Sequence, residues 1–178
     1  MKKNKNKILR QLFSSGELSR SVGAHDGLGA KLIGESGFEA VWASGLEISA
    51  SYGVPDANIL TMTQFLSKAY EMNQATTLPI IADCDTGFGN VNNAIYMMEQ
   101  YESHGISGIC IEDKKFPKVN SFIEGRQDLA DINEFSGKIR AVTDAKKDKN
   151  IVLIARVEAL IAGWGMEEAL KRSYAYEE

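Results

Sequence analysis

Five short apolar runs, each followed by a helical pattern, constrain this 178-residue chain more than any other feature. The runs are Ser19–Ala24, Glu39–Ala43, Leu78–Ala82, Gly108–Ile111 and Ile151–Ala155. Apolar strands alternating with helices indicate a parallel sheet covered on both faces. The first predicted helix runs from about Asn4 to Phe13, with Gly16 stopping it. The next spans Gly27–Glu35, with Leu28, Leu32 and Ile33 as its apolar face and Gly37 as its C-cap. Another starts at a Thr61 or Thr63 cap and carries Phe65, Leu66, Ala69 and Met72 at helical spacing. Val91–Ser103 follows, with Ile95, Met98 and Tyr101 on one side and Gly105 at its end. Asp131 caps a helix bearing Phe135, Ile139 and Val142. The last begins near Met166 and contains Ala169 and Leu170. Residues 44–58 read as a polar loop carrying Tyr52, Asp56 and Asn58, and residues 114–130 as a second, longer one.

Two architectures fit this rhythm. A five-stranded doubly wound sheet has about this length, whereas a (β/α)8 barrel needs roughly 250 residues. The sequence ends at Tyr174-Ala175-Tyr176-Glu177-Glu178, inside a helical pattern with no cap. We therefore expect residues 1–178 to be the N-terminal part of a single (β/α)8 barrel domain, about five of its units, with residues 1–16 as a helical arm.

A net charge of −4 gives no basic footprint for nucleic acid or an anionic membrane. The basic start, Met1 to Lys7, precedes apolar residues broken by Arg10 and Gln11, too short and polar for a secretory signal. No apolar run approaches membrane-spanning length. Cys84 and Cys110 fall in or beside predicted strands. They read as small core residues of a reducing, cytoplasmic compartment.

The chemistry is expected at the strand ends. Strands two to five finish at Ser44, at Asp83 with Asp85, at Glu112 with Asp113, and at Arg156 with Glu158. In parallel α/β folds these ends share one face. The stretch from Leu78 to Asn90, LPIIADCDTGFGN, is the most telling. Its two carboxylates at i and i+2 leave one strand in one direction. Paired anions are costly without a cation between them, and carboxylate oxygens suit Mg²⁺. Carboxylates beside Arg156, Lys118 and the amides of Gly45 and Leu46 would bind a metal and an anionic small molecule together.

Four pieces resemble the phosphoenolpyruvate mutase branch of the isocitrate lyase/phosphoenolpyruvate mutase superfamily. They are WASGL (42–46), DCDTGFGN (83–90), EDKKFPKVNS (112–121) and ARVEA (155–159). The resemblance runs from about Leu9 to Glu178. It implies a (β/α)8 barrel with Mg²⁺ at its C-terminal face, and interconversion of phosphoenolpyruvate and phosphonopyruvate. By residue, it assigns Asp83, Asp85 and Glu112 to the metal. Ser44, Gly45 and Leu46 go to the substrate near its carboxylate and enolate, and Asp56 to a position over the reacting centre. Lys118, Asn120 and Ser121 belong to a mobile loop, and Arg156 binds the phosphoryl group. A histidine of the family site would fall on a later strand. A homo-oligomer, dimer or tetramer, is also implied.

Within the superfamily, lyases carry a loop cysteine that residues 114–130 lack, so carbon–carbon lyase chemistry is disfavoured. Phosphonopyruvate hydrolase is the close alternative, and its branch departs from asparagine at the position matching Asn120. An inactive scaffold fragment is the non-enzymatic alternative. Of the remaining residues, Lys114 and Lys115 read as solvated, His25 and His104 as structural or surface, and Trp42 and Trp164 as packing.

Overall fold

The computed structural model describes residues 4–177; Met1, Lys2, Lys3 and Glu178 lie outside them. Each apolar run forms a strand of four or five residues, followed by at least one helix. In chain order the elements are α1 (Lys5–Ser14), β1 (Ser21–Ala24), α2 (Gly27–Glu35), β2 (Ala40–Ala43), α3 (Gly45–Ser51) and α4 (Met62–Ala75). Then come β3 (Ile80–Asp83), α5 (Val91–Ser103), β4 (Gly108–Glu112), α6 (Ile132–Ala145), β5 (Val152–Arg156) and α7 (Met166–Glu177). The five strands are all parallel and lie side by side in sequence order, β1-β2-β3-β4-β5. That sequential winding is the (β/α)8-barrel arrangement and not a doubly wound one, in which strand order reverses.

Side-chain alternation splits the sheet into two faces. Val41, Ala43, Ile80, Ala82, Ile109, Ile111, Leu153 and Ala155 pack into the large core with the helices. Ala40, Trp42, Ile81, Val152 and Ile154 face the other way and form a smaller cluster with Leu9 of α1. Leu9 therefore covers the inner face near the N-terminal ends of the strands. The same parity carries Asp83, Glu112 and Arg156 onto that inner face, at the opposite end.

The helix caps follow the sequence. Thr61 and Gln64 form a reciprocal capping box, Asn90 accepts from Asn92 N and Asn93 N, and Asp131 accepts from Asn133 N and Glu134 N. Phe65, Leu66, Ala69 and Met72 are all buried, as their spacing predicts.

Two expectations need correction. The expected apolar face of α2 holds at Ile33, which is buried, but not at Leu28 and Leu32, which are 66% and 54% exposed; Ala30 is buried in their place. The helix turns Ala30 and Ile33 inward, and its C-terminal end lies close to the end of α4. A Cβ on Gly34 would stand 2.5 Å from Thr76 Oγ1, so glycine permits the approach. Residues 44–58 are also not simply a loop. Ser44 caps α3, its side chain accepting from Glu47 N at 3.2 Å, a serine-x-x-glutamate start signal in the sequence.

Helix α7 is locked to the strand ends by a buried polar network. Asp113, just past β4, accepts from Arg172 Nη1 (3.0 Å) and Tyr176 OH (2.7 Å) through Oδ2. Its Oδ1 accepts from Glu158 N at 2.8 Å. Among the described residues, no helix is long and apolar enough to cross a membrane.

Two predictions follow from burial. Cys84 and Cys110 are free and buried. Burial, reinforced by the charge of Asp83, pushes the Cys110 thiol up to about 12, and burial raises Cys84 as well. At pH 8 the Cys110 thiolate fraction is then about 10⁻⁴. Neither thiol should react with a thiol-specific chromogenic reagent in the native protein, and both should react in denaturant; a native thiol titrating at once would contradict this. Separately, Asp113→Ala takes the buried carboxylate acceptor from Arg172 Nη1, Tyr176 OH and Glu158 N, while Arg172 keeps its ion pair with Glu168, and should cost about 1–3 kcal/mol, read as a lower urea midpoint. Unchanged stability would remove the network from the account.

Candidate active site

The C-terminal ends of β3, β4 and β5 carry Asp83, Glu112 and Arg156 on one face. Asp85 reaches the same place by a different route from the one expected. It lies past the strand in a left-handed turn (φ 50°), and the ladder continues beneath it. Cys84 N donates to Cys110 O (2.9 Å) and Glu112 N to Asp85 O (2.8 Å). Asp85 N also donates to Asp83 Oδ1 at 3.2 Å. A Cβ on Gly45 would stand 3.2 Å from Asp83 Oδ2 and 3.5 Å from Asp85 Oδ1, so both carboxylates face the bare backbone that opens α3. The turn after Asp85 is held from two sides. Phe88 packs on Phe65 with ring centroids 5.6 Å apart, and Lys138 Nζ donates to Thr86 O (3.0 Å) and Gly89 O (3.1 Å).

Lys118 is the hub. Its ammonium is 2.9 Å from Asp56 Oδ1, 3.0 Å from Asp56 Oδ2 and 2.5 Å from Asp85 Oδ1. Asn58 completes the arrangement: its Nδ2 donates to Asp85 Oδ2 (2.8 Å) and its Oδ1 accepts from Lys118 N (2.6 Å). Sequence reasoning saw Asn58 only as a loop residue; its value lies in a contact 60 residues away in sequence. Arg156 pairs with Glu112, lies 2.8 Å from Glu158 Oε1 through Nε, and 3.7 Å from Asp83 Oδ2. Lys114 is buried, contrary to the expectation of a solvated side chain. It donates to Ser121 Oγ (2.6 Å) and Val119 O (2.9 Å) and lies 3.5 Å from Glu158.

Of the expected site residues, Asp56, Asp83, Asp85, Glu112, Lys118 and Arg156 form one linked charge cluster. Ser121 joins it through Glu158 at 3.2 Å. Ser44 and Gly45 border it, Ser44 with its hydroxyl engaged as the α3 cap. Leu46 is partly exposed on α3. Asn120 stands apart: its Oδ1 accepts from Phe122 N at 2.8 Å, which shapes the loop, and its Nδ2 has no partner among the described residues.

The electrostatics match the burial. Burial pushes Asp85 up to about 6, with Asp83 and Asp56 adding to the rise and Lys118 opposing it. Burial disfavours the charge on Lys118, but Asp85, Asp83 and Asp56 outweigh it and raise its pKa. Arg156 is likewise held charged, burial being outweighed by Asp83 and Glu158. Among the described residues, no three His, Cys, Asp or Glu side chains form a ready-made ligand set. Asp83 and Asp85 stand together at Gly45, while Glu112 turns toward Arg156. The donor chemistry nonetheless suits a hard divalent ion. All donors are carboxylate oxygens, and Glu112 Oε1 is buried without a hydrogen-bond partner. Five carboxylates (Asp56, Asp83, Asp85, Glu112, Glu158) meet three cations (Lys114, Lys118, Arg156), an excess equal to one divalent charge.

A sequentially wound parallel sheet with this polar C-terminal face defines the (β/α)8-barrel class. Residues 9–178 match the family model described as phosphoenolpyruvate phosphomutase. The chain is 51% identical over 175 residues to a phosphonopyruvate hydrolase from Variovorax sp. (strain Pal2), covering 98% of this chain and 60% of the relative. It is 49% identical over 169 residues to a phosphoenolpyruvate phosphomutase from Tetrahymena pyriformis, covering 94% and 56%. Among solved structures, a phosphoenolpyruvate phosphomutase from Streptomyces platensis subsp. rosaceus superposes with a TM-score of 0.95 at 54% identity, covering 97% of this chain and 60% of that one. A phosphonopyruvate hydrolase complex with oxalate and Mg²⁺ gives 0.91 at 49% identity, covering 98% and 59%. The chain belongs to the phosphoenolpyruvate phosphomutase family. It spans about 60% of the length of the relatives it matches.

The Lys118 hub yields a pH-dependent prediction. Asp85 rises from 3.8 to about 6 on folding, so between those values the folded state binds the extra proton. The stabilisation from that proton is lost as pH rises through about 6. Lys118→Met removes the one cation that, among the described residues, touches both Asp56 and Asp85. It should cost about 3–5 kcal/mol at pH 8 and distinctly less at pH 5, where Asp85 takes up a proton. Denaturant titrations at the two pH values measure this; an equal cost at both would contradict the pairing.

Proposed function

We propose that the protein carrying this chain is a phosphoenolpyruvate mutase, with these residues forming part of a single (β/α)8 domain. The observation that supports the mutase over the hydrolase is Asn120. It sits between Lys118 and Ser121, which are already seated in the charge cluster, and its Nδ2 remains available to a ligand. An asparagine amide donates two hydrogen bonds and so grips phosphoryl oxygens where a small hydroxyl would admit water.

The reaction moves one phosphoryl group between the enol oxygen and C3 of pyruvate. Toward phosphonopyruvate the P–O bond breaks and a P–C bond forms; in reverse the two exchange. No water is consumed in either direction. A loose phosphoryl transfer asks the protein for positioning and charge balance more than covalent help. Arg156, with Asn120 and Ser121, holds the phosphoryl oxygens while the group turns. Asp56 stands over the reacting centre, fixed by Lys118. Gly45 and Leu46 bring backbone amides to the carboxylate and enolate oxygens, with Ser44 beside them. Asp83, Asp85 and Glu112 would hold Mg²⁺, which when bound draws off enolate charge. The 114–130 segment excludes water from the transferring group. A cytoplasmic homo-oligomer, dimer or tetramer, completes the proposal.

Hydrolysis is the second reading, favoured by the 51% identity to the Variovorax hydrolase. Incubating the intact protein with phosphonopyruvate and Mg²⁺ separates the two. A mutase yields phosphoenolpyruvate with little pyruvate or phosphate. Pyruvate and phosphate from the first time points would establish the hydrolase instead. Asp85→Ala should abolish Mg²⁺-dependent turnover of either kind.

A further inference from the structure

The polar segment 114–130 enters the site with Lys118 and Ser121, yet its tip carries exposed Val119, Phe122 and Ile123. Among the described residues, no apolar cluster includes that tip. Its first arm is bound by Lys118 and Lys114 to the charge cluster. The base of the second arm pairs with the first, Lys115 N donating to Asp128 O (3.2 Å), and nearer the tip the arm is held by Gln127, a buried residue that none of the chemistry uses.

Gln127 binds in both directions. Its Nε2 donates to Asn120 O (3.0 Å) and Ile123 O (3.1 Å), spanning the tip. Its backbone is clamped to the segment after β5: Gln127 N donates to Ala162 O (3.1 Å), and Gln127 O accepts from Trp164 Nε1 (2.7 Å). The Arg126 guanidinium stacks over the Trp164 ring, 4.2 Å from its centroid. Arg172, which binds Asp113 beneath the site, lies 5.6 Å from the same ring. Leu129 packs with Ala159, Ala162 and Ala169 and seats the base of the arm.

We infer that Gln127 and Trp164 form a latch that positions Asn120 over the substrate, so that latch strength sets how much transferring phosphoryl is lost to water. Among the described residues, the only side-chain tie on Asn120's own carbonyl runs through Gln127, beside a local backbone bond from Ile123 N, and the Asn120 side chain is fixed only by its local bond to Phe122 N. Lysine contacts hold Lys118 whether or not the tip is down. Lys114 still holds Val119 O and Ser121 Oγ on either side, so release of Gln127 loosens the Asn120 carbonyl and the 122–126 tip while Lys118 stays seated. A freed tip admits water to the phosphorus: the P–C bond breaks, water oxygen joins phosphorus, one water proton goes to the enolate carbon and the products are pyruvate and phosphate. Gln127 and Trp164 are positioning residues and touch no reacting atom. The inference rests on the proposed mutase reading for its chemistry but not for its mechanics.

Two variants of the intact protein test it. Gln127→Met keeps the length and removes both donors without burying a charge; Trp164→Phe keeps the stacked ring and removes the Nε1–H. Each loses bonds of a size that shifts an equilibrium about tenfold. We expect tryptic cleavage within 114–130 to quicken about tenfold at an unchanged melting temperature. We also expect kcat to fall with KM little changed, and the pyruvate share of products from phosphonopyruvate to rise. Gln127→Asn, which retains donors on a shorter arm, should recover part of the loss. Unchanged cleavage and product ratio in both variants would overturn the latch. Should either variant fail to fold, amide exchange in the wild type decides: protection across 118–127 supports the latch, and exchange at unstructured rates overturns it. If the wild type itself makes pyruvate and phosphate, the mutase reading fails while faster cleavage still establishes the latch.

Discussion

Everything at the functional end depends on keeping several buried carboxylates ionised side by side. Asp85 and Glu112 are each 1% exposed, and Lys118 only 4%. Isolated, such charges would neutralise or unfold their surroundings. They persist because Lys118 bridges Asp56 and Asp85, while Arg156 links Glu112, Glu158 and Asp83. A residual negative excess remains, and it is this excess that suits a divalent ion. Charge balance thus joins the scaffold to the chemistry.

The scaffold serves that balance through parity and depth. Strands of four or five residues leave no room for error: with period-two alternation, a slip of one residue would turn Asp83, Glu112 and Arg156 into the helix layer. Apolar neighbours on the opposite face, Ala82, Ile111 and Ala155, fix the register. Leu9 of α1 covers the same inner face at the far end. The apolar end and the charged end are therefore separated along one short strand length.

The long segment after β4 shows how polarity and order coexist. It is held by side chains reaching to backbone, Lys114 to Val119 O and Gln127 to Asn120 O, more than by apolar burial. Such contacts release and re-form without opening a core. Under the proposed mutase reading, a cover over the site needs that property, since substrate would enter and water would be kept out.

The sequence by itself determined the strand–helix alternation, the caps at Thr61 and Asp131 and the identity of the charged strand ends. Each of these is local: propensity, spacing and cap chemistry operate within a few residues. It also determined the family, through contiguous stretches such as DCDTGFGN. The α3 start was legible in Ser44 and Glu47, though the polar residues around it pointed to a loop. Tertiary structure alone decided which face of α2 is buried, because close approach at Gly34 outweighs the pull of Leu28 and Leu32. It alone made Lys114 a buried cation and Asn58 a partner of both Asp85 and Lys118. It alone turned Asp113 away from the site toward Arg172 and Tyr176. These are long-range pairings between residues dozens of positions apart. Their energy comes from removing charge and donors from water together, which no local pattern encodes.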